Sequence, residues 1–135
     1  MNIDLKKLQN GSDIRGIAIS TEKEQANLTP ETAALFGTAF TLWLAEKHKC
    51  KPEKLVIAVG HDSRITAESL RTGIISGIKS AGASTINCGL ASTPAMFMST
   101  VMKELSCSGS VMITASHLPY NRNGFKFFTP EGGLE

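Results

Sequence analysis

Apolar runs that stop at a glycine alternate along this chain with stretches whose apolar residues recur every three or four positions. Leu55-Val56-Ile57-Ala58-Val59 runs into Gly60, the pattern of a strand buried on both faces. Ser84-Thr85-Ile86-Asn87-Cys88 ends at Gly89, and Ser110-Val111-Met112-Ile113-Thr114 forms a third candidate strand. Gly124 to Phe128 reads as a fourth that turns back, and a short strand near Ile14 to Ile19 is expected ahead of them all.

The intervening stretches read as helices. Thr29-Pro30-Glu31 puts an N-cap, an N1 proline and a first-turn acid in order. Phe36, Ala39, Phe40 and Trp43 follow at helical spacing as the inner face, with Trp43 a core residue. Lys47-His48-Lys49 suits the carboxyl end of that helix. Thr66 is expected to cap a second helix, with Leu70, Ile74, Ile78 and Ala81 on one face and Gly82 as the stop. Gly73 and Gly77 share that face, which predicts a close approach to the sheet. Thr93-Pro94 opens a third helix carrying Phe97, Val101, Met102 and Leu105.

This alternation predicts a three-layer α/β/α fold. Its sheet should be mixed but mostly parallel, with about four main strands and the last one antiparallel. Ligands of such sheets collect beyond the carboxyl ends of the strands. The polar clusters fall there: Gly60-His61-Asp62-Ser63-Arg64, Gly89 through Thr93, and Thr114-Ala115-Ser116-His117.

With 135 residues the chain suits one domain with one core. A formal net charge of +2 and the absence of a Lys/Arg run argue against a nucleic-acid backbone binder. Cys50, Cys88 and Cys107 are odd in number and lack a C-x-x-C, so they read as free thiols in a reducing compartment. No segment is long and apolar enough to span a bilayer, and the amino terminus has no signal-peptide core. The expectation is a cytoplasmic protein. The stop after Gly132-Gly133-Leu134-Glu135, without a closing element, reads as a piece of something longer; Leu-Glu is also a common cloning scar.

From Thr114 to Lys126 the chain packs a serine, a histidine, asparagines, an arginine, a glycine and a lysine into one loop and strand. Ser116 can be a turn serine or a phosphoryl-carrying nucleophile, and the residues alone leave the two even. His117 is its chain neighbour and cannot simply stand behind it as a triad base. Lys126 alternates in facing with Phe125 and Phe127; it is an exposed strand lysine or a cation for phosphate binding and proton transfer. Asp13 and Arg15 form a surface ion pair or a guanidinium held by a carboxylate as a fork for phosphate. Asp62-Ser63-Arg64 carries the same ambiguity.

Three motifs in order resemble the amino-terminal domain of the α-D-phosphohexomutases, the phosphoglucomutase/phosphomannomutase superfamily. Gly11-Ser-Asp-Ile-Arg-Gly16 looks like its early G-T-x-x-(I/L/F)-R-G segment, and Val59-Gly-His-Asp-Ser-Arg64 resembles its V-G-x-D-x-R. Gly109 through His117, followed by Asn123-Gly-Phe-Lys126, is similar to its G-x-x-(I/V)-T-A-S-H-N-P…N-G-x-K signature, with Leu118 where the family has asparagine. Pro94 occupies the family's T-P.

The resemblance implies that Ser116 is a phosphoserine that donates to and accepts from a hexose phosphate through a bisphosphorylated sugar, which also serves as activator. It implies Mg²⁺ bound through the Ser116 phosphate, with the aspartate ligands lying outside this chain. Arg15 and Lys126 would sit near the reacting hydroxyl, Lys126 as general acid/base and His117 assisting. Asp13, Asp62, Arg64, Asn123 and Gly124 would bind phosphate or order the loop. The chain would be the phosphoserine domain, ending short of that domain's own close, with the metal, sugar and phosphate domains elsewhere in the same polypeptide; alone it would not turn over substrate. Two other classes stand against this: a non-catalytic phosphosugar-binding module, and a serine hydrolase.

Overall fold

The glycine-ended run at Val59-Gly60 becomes the middle strand of the sheet's parallel part. The computed structural model describes residues 8–10, 13–90, 108–114, 119–130 and 132–133. In order these form β1 (Gln9–Asn10), β2 (Asp13–Ile17), α1 (Pro30–His48), a 3-10 turn (Pro52–Lys54), β3 (Val56–His61), α2 (Ala67–Ser80), β4 (Ser84–Leu90), β5 (Gly109–Ile113), β6 (Arg122–Thr129) and β7 (Gly132–Gly133). The strands make one sheet in the order β1-β2-β6-β5-β3-β4, with β7 beside β6. β3 pairs in parallel with β4 and β5, whereas β6 is antiparallel to β5, as expected of a strand that turns back. β2, the short strand expected first, joins through β6 and is antiparallel to it.

Both described helices cover one face. Thr29 caps α1 as predicted, its hydroxyl accepting from the Thr32 amide at 3.1 Å. The inner face of α1 differs from the expected one. Thr32, Ala33, Gly37, Phe40, Thr41, Leu44 and Ala45 are buried, while Ala39 is exposed and Trp43 is 41% exposed. Trp43 lies outside the core because its ring stacks on Phe40 from the solvent side, 6.2 Å between centroids, with the Lys47 ammonium over it. Small residues take the inner positions for a geometric reason. A Cβ on Gly73 or Gly77 would collide with the Pro30 or Ala34 carbonyl oxygen, and one on Gly37 with that of Ile74. The α2 glycines therefore seat α2 against α1, correcting the expectation that they bring it to the sheet. Thr38 seals the crossing by donating to the Gly77 carbonyl at 3.0 Å.

Below the helices, Phe125 and Phe127 of β6 pack against Phe36 and Phe40 of α1, with ring centroids 6.0 and 4.9 Å apart. Aromatic pairs of this kind contribute ~0.5–1.5 kcal/mol each beyond the area they bury. The opposite face carries a smaller apolar cluster of Ala58 and Met112 with Val56, Ile86, Cys88 and Phe128. Desolvation there raises the Cys88 thiol above its ordinary pKa. Cys50 and Cys88 are free thiols, as read from the sequence. The third helix expected from Thr93, and Cys107, lie outside the described residues. Among the described residues no helix is long and apolar enough to cross a membrane.

Candidate active site

On the face of β6 turned away from the helices, Lys126 meets the first motif of the chain. β2 and β6 pair with Ile14 opposite Phe125 and Arg15 opposite Gly124. Carried one position further, this register sets Asp13 across from Lys126. The Lys126 Nζ donates to Asp13 Oδ2 at 3.0 Å. Arg15 stands two residues along β2 and so on the same face; its Nη2 lies 3.7 Å from the same oxygen. The three side chains are between 21% and 33% exposed, enough to be reached from solvent and too enclosed to move freely.

Gly124 makes this convergence possible. A Cβ there would clash with the Ile14 carbonyl oxygen and crowd Arg15 Cγ and the Thr114 carbonyl oxygen, each at 3.2 Å. The Thr114 amide donates to the Gly124 carbonyl at 2.9 Å. Two cations and the carboxylate between them thus flank the point where the chain leaves β5. Ser116 and His117, the next residues of that motif, lie outside the described residues.

Asp62, Arg64 and Asn123 secure the loops around this point. The Asp62 amide donates to the Ile113 carbonyl at 3.0 Å, and its Oδ1 accepts from the Arg64 amide at 3.0 Å. The Arg64 guanidinium reaches across to the Pro119 carbonyl and to that of Arg122, the latter at 3.3 Å. Asn123 is fully buried; its Nδ2 donates to Thr66 Oγ1 at 2.8 Å and its Oδ1 accepts from the Gly124 amide at 2.9 Å. Thr66 was expected to cap α2. It does stand at the N-cap position, but its side chain makes no capping bond; its hydroxyl accepts from Asn123 instead. His61 completes the edge: Arg71 donates to its Nε2 at 3.4 Å, which leaves Nδ1–H to donate to the Asp62 carbonyl at 2.7 Å.

The structure therefore brings Asp13, Arg15, Lys126 and Gly124 together and places Asp62, Arg64 and Asn123 around the loop they border. Sequence reading missed the Asp13–Lys126 pair, whose partners are 113 residues apart; strand alternation plus the antiparallel register of β2 and β6 would have found it. It also missed the ion pair between Glu24 and Arg122, at 2.8 Å, for which no sequence signal exists. Among the described residues no group of three or more His, Cys, Asp or Glu side chains could hold a metal ion. Asp13 has its carboxylate committed to two cations.

Comparison with known proteins agrees with the fold and the motifs. Residues 6–134 match the family model described as phosphoglucomutase/phosphomannomutase, alpha/beta/alpha domain I. The chain is 37% identical over 126 residues to a phosphoglucosamine mutase of Syntrophomonas wolfei, covering 93% of this chain and 26% of that protein. It is 36% identical over 126 residues to a phosphoglucomutase/phosphomannomutase of Thermococcus kodakarensis, covering 93% of this chain and 25% of that one. A crystal structure of a phosphoglucomutase/phosphomannomutase family protein from Burkholderia thailandensis shares the fold, with TM-score 0.71 and 21% identity over 93% of this chain and 26% of that one. The fold is thus that of the α/β/α domain which the family model describes. The chain belongs to the phosphoglucomutase/phosphomannomutase family and corresponds to its domain I. It spans about a quarter of the length of the relatives it matches.

Proposed function

We propose that this chain is the phosphoserine domain of a phosphohexomutase that interconverts sugar 1-phosphates and 6-phosphates. Ser116 carries the phosphoryl group. In the forward half-reaction its Oγ–P bond breaks, a P–O bond to the free hydroxyl of a hexose phosphate forms, and the hydroxyl's proton ends on the serine. The bisphosphorylated sugar turns over in the site and returns its other phosphate to Ser116.

Such transfers need charge neutralisation and in-line positioning above all. Arg15 supplies a fixed guanidinium for the dianion. Lys126 Nζ holds the proton in transit from the sugar hydroxyl, and His117 assists at the serine. The single observation that carries this reading is the gathering of Arg15 and Lys126 around one carboxylate, beside the end of β5 that leads to Ser116.

The family resemblance implies Mg²⁺ on the Ser116 phosphate. The described residues offer no cluster to hold it. Sugar recognition and the rest of the substrate cavity belong to other domains of the same polypeptide, so the isolated chain turns over no hexose phosphate. Assay of the whole polypeptide with glucose, mannose and glucosamine phosphates tests this. Conversion of one of them, abolished by Ser116→Ala, is the expected result. Conversion by Ser116→Ala at the parent rate, or by the isolated chain, refutes it.

A further inference from the structure

The segment between β2 and α1 took no part in the motifs, yet it is a built object. Residues 18–28 form a compact loop whose ends close on Ile17. The Ile17 carbonyl accepts from the Asn27 and Leu28 amides, each at 2.9 Å, and the Ile17 amide donates to Asn27 Oδ1 at 2.7 Å. Inside the loop, the Ala26 amide donates to Ser20 Oγ at 2.8 Å. The Thr21 amide donates to the Glu24 carbonyl at 2.7 Å, and the Glu24 amide donates to Thr21 Oγ1 at 3.2 Å. Loops packed by their own polar groups with adjoining ends are often functional.

This loop holds the limb, residues 119–122, that leads the chain into β6. Its Ala18 and Ile19 amides both donate to the Asn121 carbonyl, at 2.7 and 3.0 Å, and Glu24 Oε2 accepts from Arg122 Nη2 at 2.8 Å. From the other side Arg64 holds the Pro119 and Arg122 carbonyls. The limb is turned tightly between them, the Arg122 amide donating to the Pro119 carbonyl at 3.0 Å.

We infer that the 18–28 loop is a strap that fixes the 119–122 limb, the stretch that follows the proposed phosphoryl-carrying serine in the chain, with Glu24 and Arg122 as a coupled pair of positioning residues. This rests on the phosphoserine reading for its catalytic consequence and on geometry alone for its structural one. A phosphoryl carrier must sit in line with an acceptor held by other domains, and small misplacements cost rate without weakening substrate binding.

Glu24→Ala, Arg122→Ala and the double variant, made in the whole polypeptide, test it. Expected are a kcat three- to tenfold lower in each single variant, KM within twofold, and a double variant no slower than the slower single. Hydrogen exchange at Tyr120–Arg122 should quicken in Glu24→Ala while the melting temperature stays put. Unchanged exchange there, or additive losses in the double variant, overturns the strap. A parent polypeptide with no turnover counts against the phosphoserine reading instead, and the exchange result still decides the strap.

Discussion

The two faces of β6 do different work with alternating residues. Phe125 and Phe127 point into the helix layer and lock against Phe36 and Phe40. Between them Lys126 points the other way, into an ion pair with Asp13. The helix face tolerates nothing that changes volume, since interiors pack as densely as crystals. The other face sets the charged Lys126 beside the apolar Phe128, and exposed or half-exposed ion pairs contribute little to folding. Stability and chemistry are therefore separable here one residue at a time, although they share a backbone.

Substitutions should divide along that line. Phe125→Ala should cost ~3–5 kcal/mol by leaving a cavity under α1, measured by urea unfolding; a loss under a third of that would mean the aromatic cluster is not the core. Gly77→Ala should cost ~1–3 kcal/mol, because a methyl must push α1 and α2 apart, and parent-like unfolding would show a looser crossing. Lys126→Met should shift stability by no more than ~1 kcal/mol while cutting turnover of the whole polypeptide by ~10²-fold or more. Equal damage to both would erase the distinction between the faces. The smallest effect concerns Cys88. Burial raises its pKa, so less thiolate is present at a given pH and alkylation at neutral pH should lag behind that of a free peptide thiol. A rate equal to the peptide's would show the second-face cluster to be open.

Much of the fold was legible because it obeys short-range rules. The Thr29-Pro30-Glu31 cap, the apolar strand runs and the returning strand depend on local chemistry and appear on the expected stretches, although β3 and β4 continue past Gly60 and Gly89 and β6 opens at Arg122, ahead of Gly124. The inner face of α1 was misread for a tertiary reason. Phe36 and Phe40 do pack inward, but α2 crosses so closely that Gly37 and Ala33 face it, while Ala39 and Trp43 are left outside. The site was half legible. Arg15, Lys126, Arg64 and Asp62 stood out as residues of the right kind. That one carboxylate joins Arg15 to Lys126 follows only from strand register, and that Arg64 reaches backbone carbonyls 55 and 58 residues away follows only from the tertiary fold.

Phosphopeptide mapping of the whole polypeptide, before and after mixing with a hexose monophosphate, addresses the proposed chemistry head on. Phosphate should be found on Ser116 beforehand and in the sugar afterwards. Turnover by a polypeptide whose Ser116 never carries phosphate would contradict the assignment of that hydroxyl as the carrier.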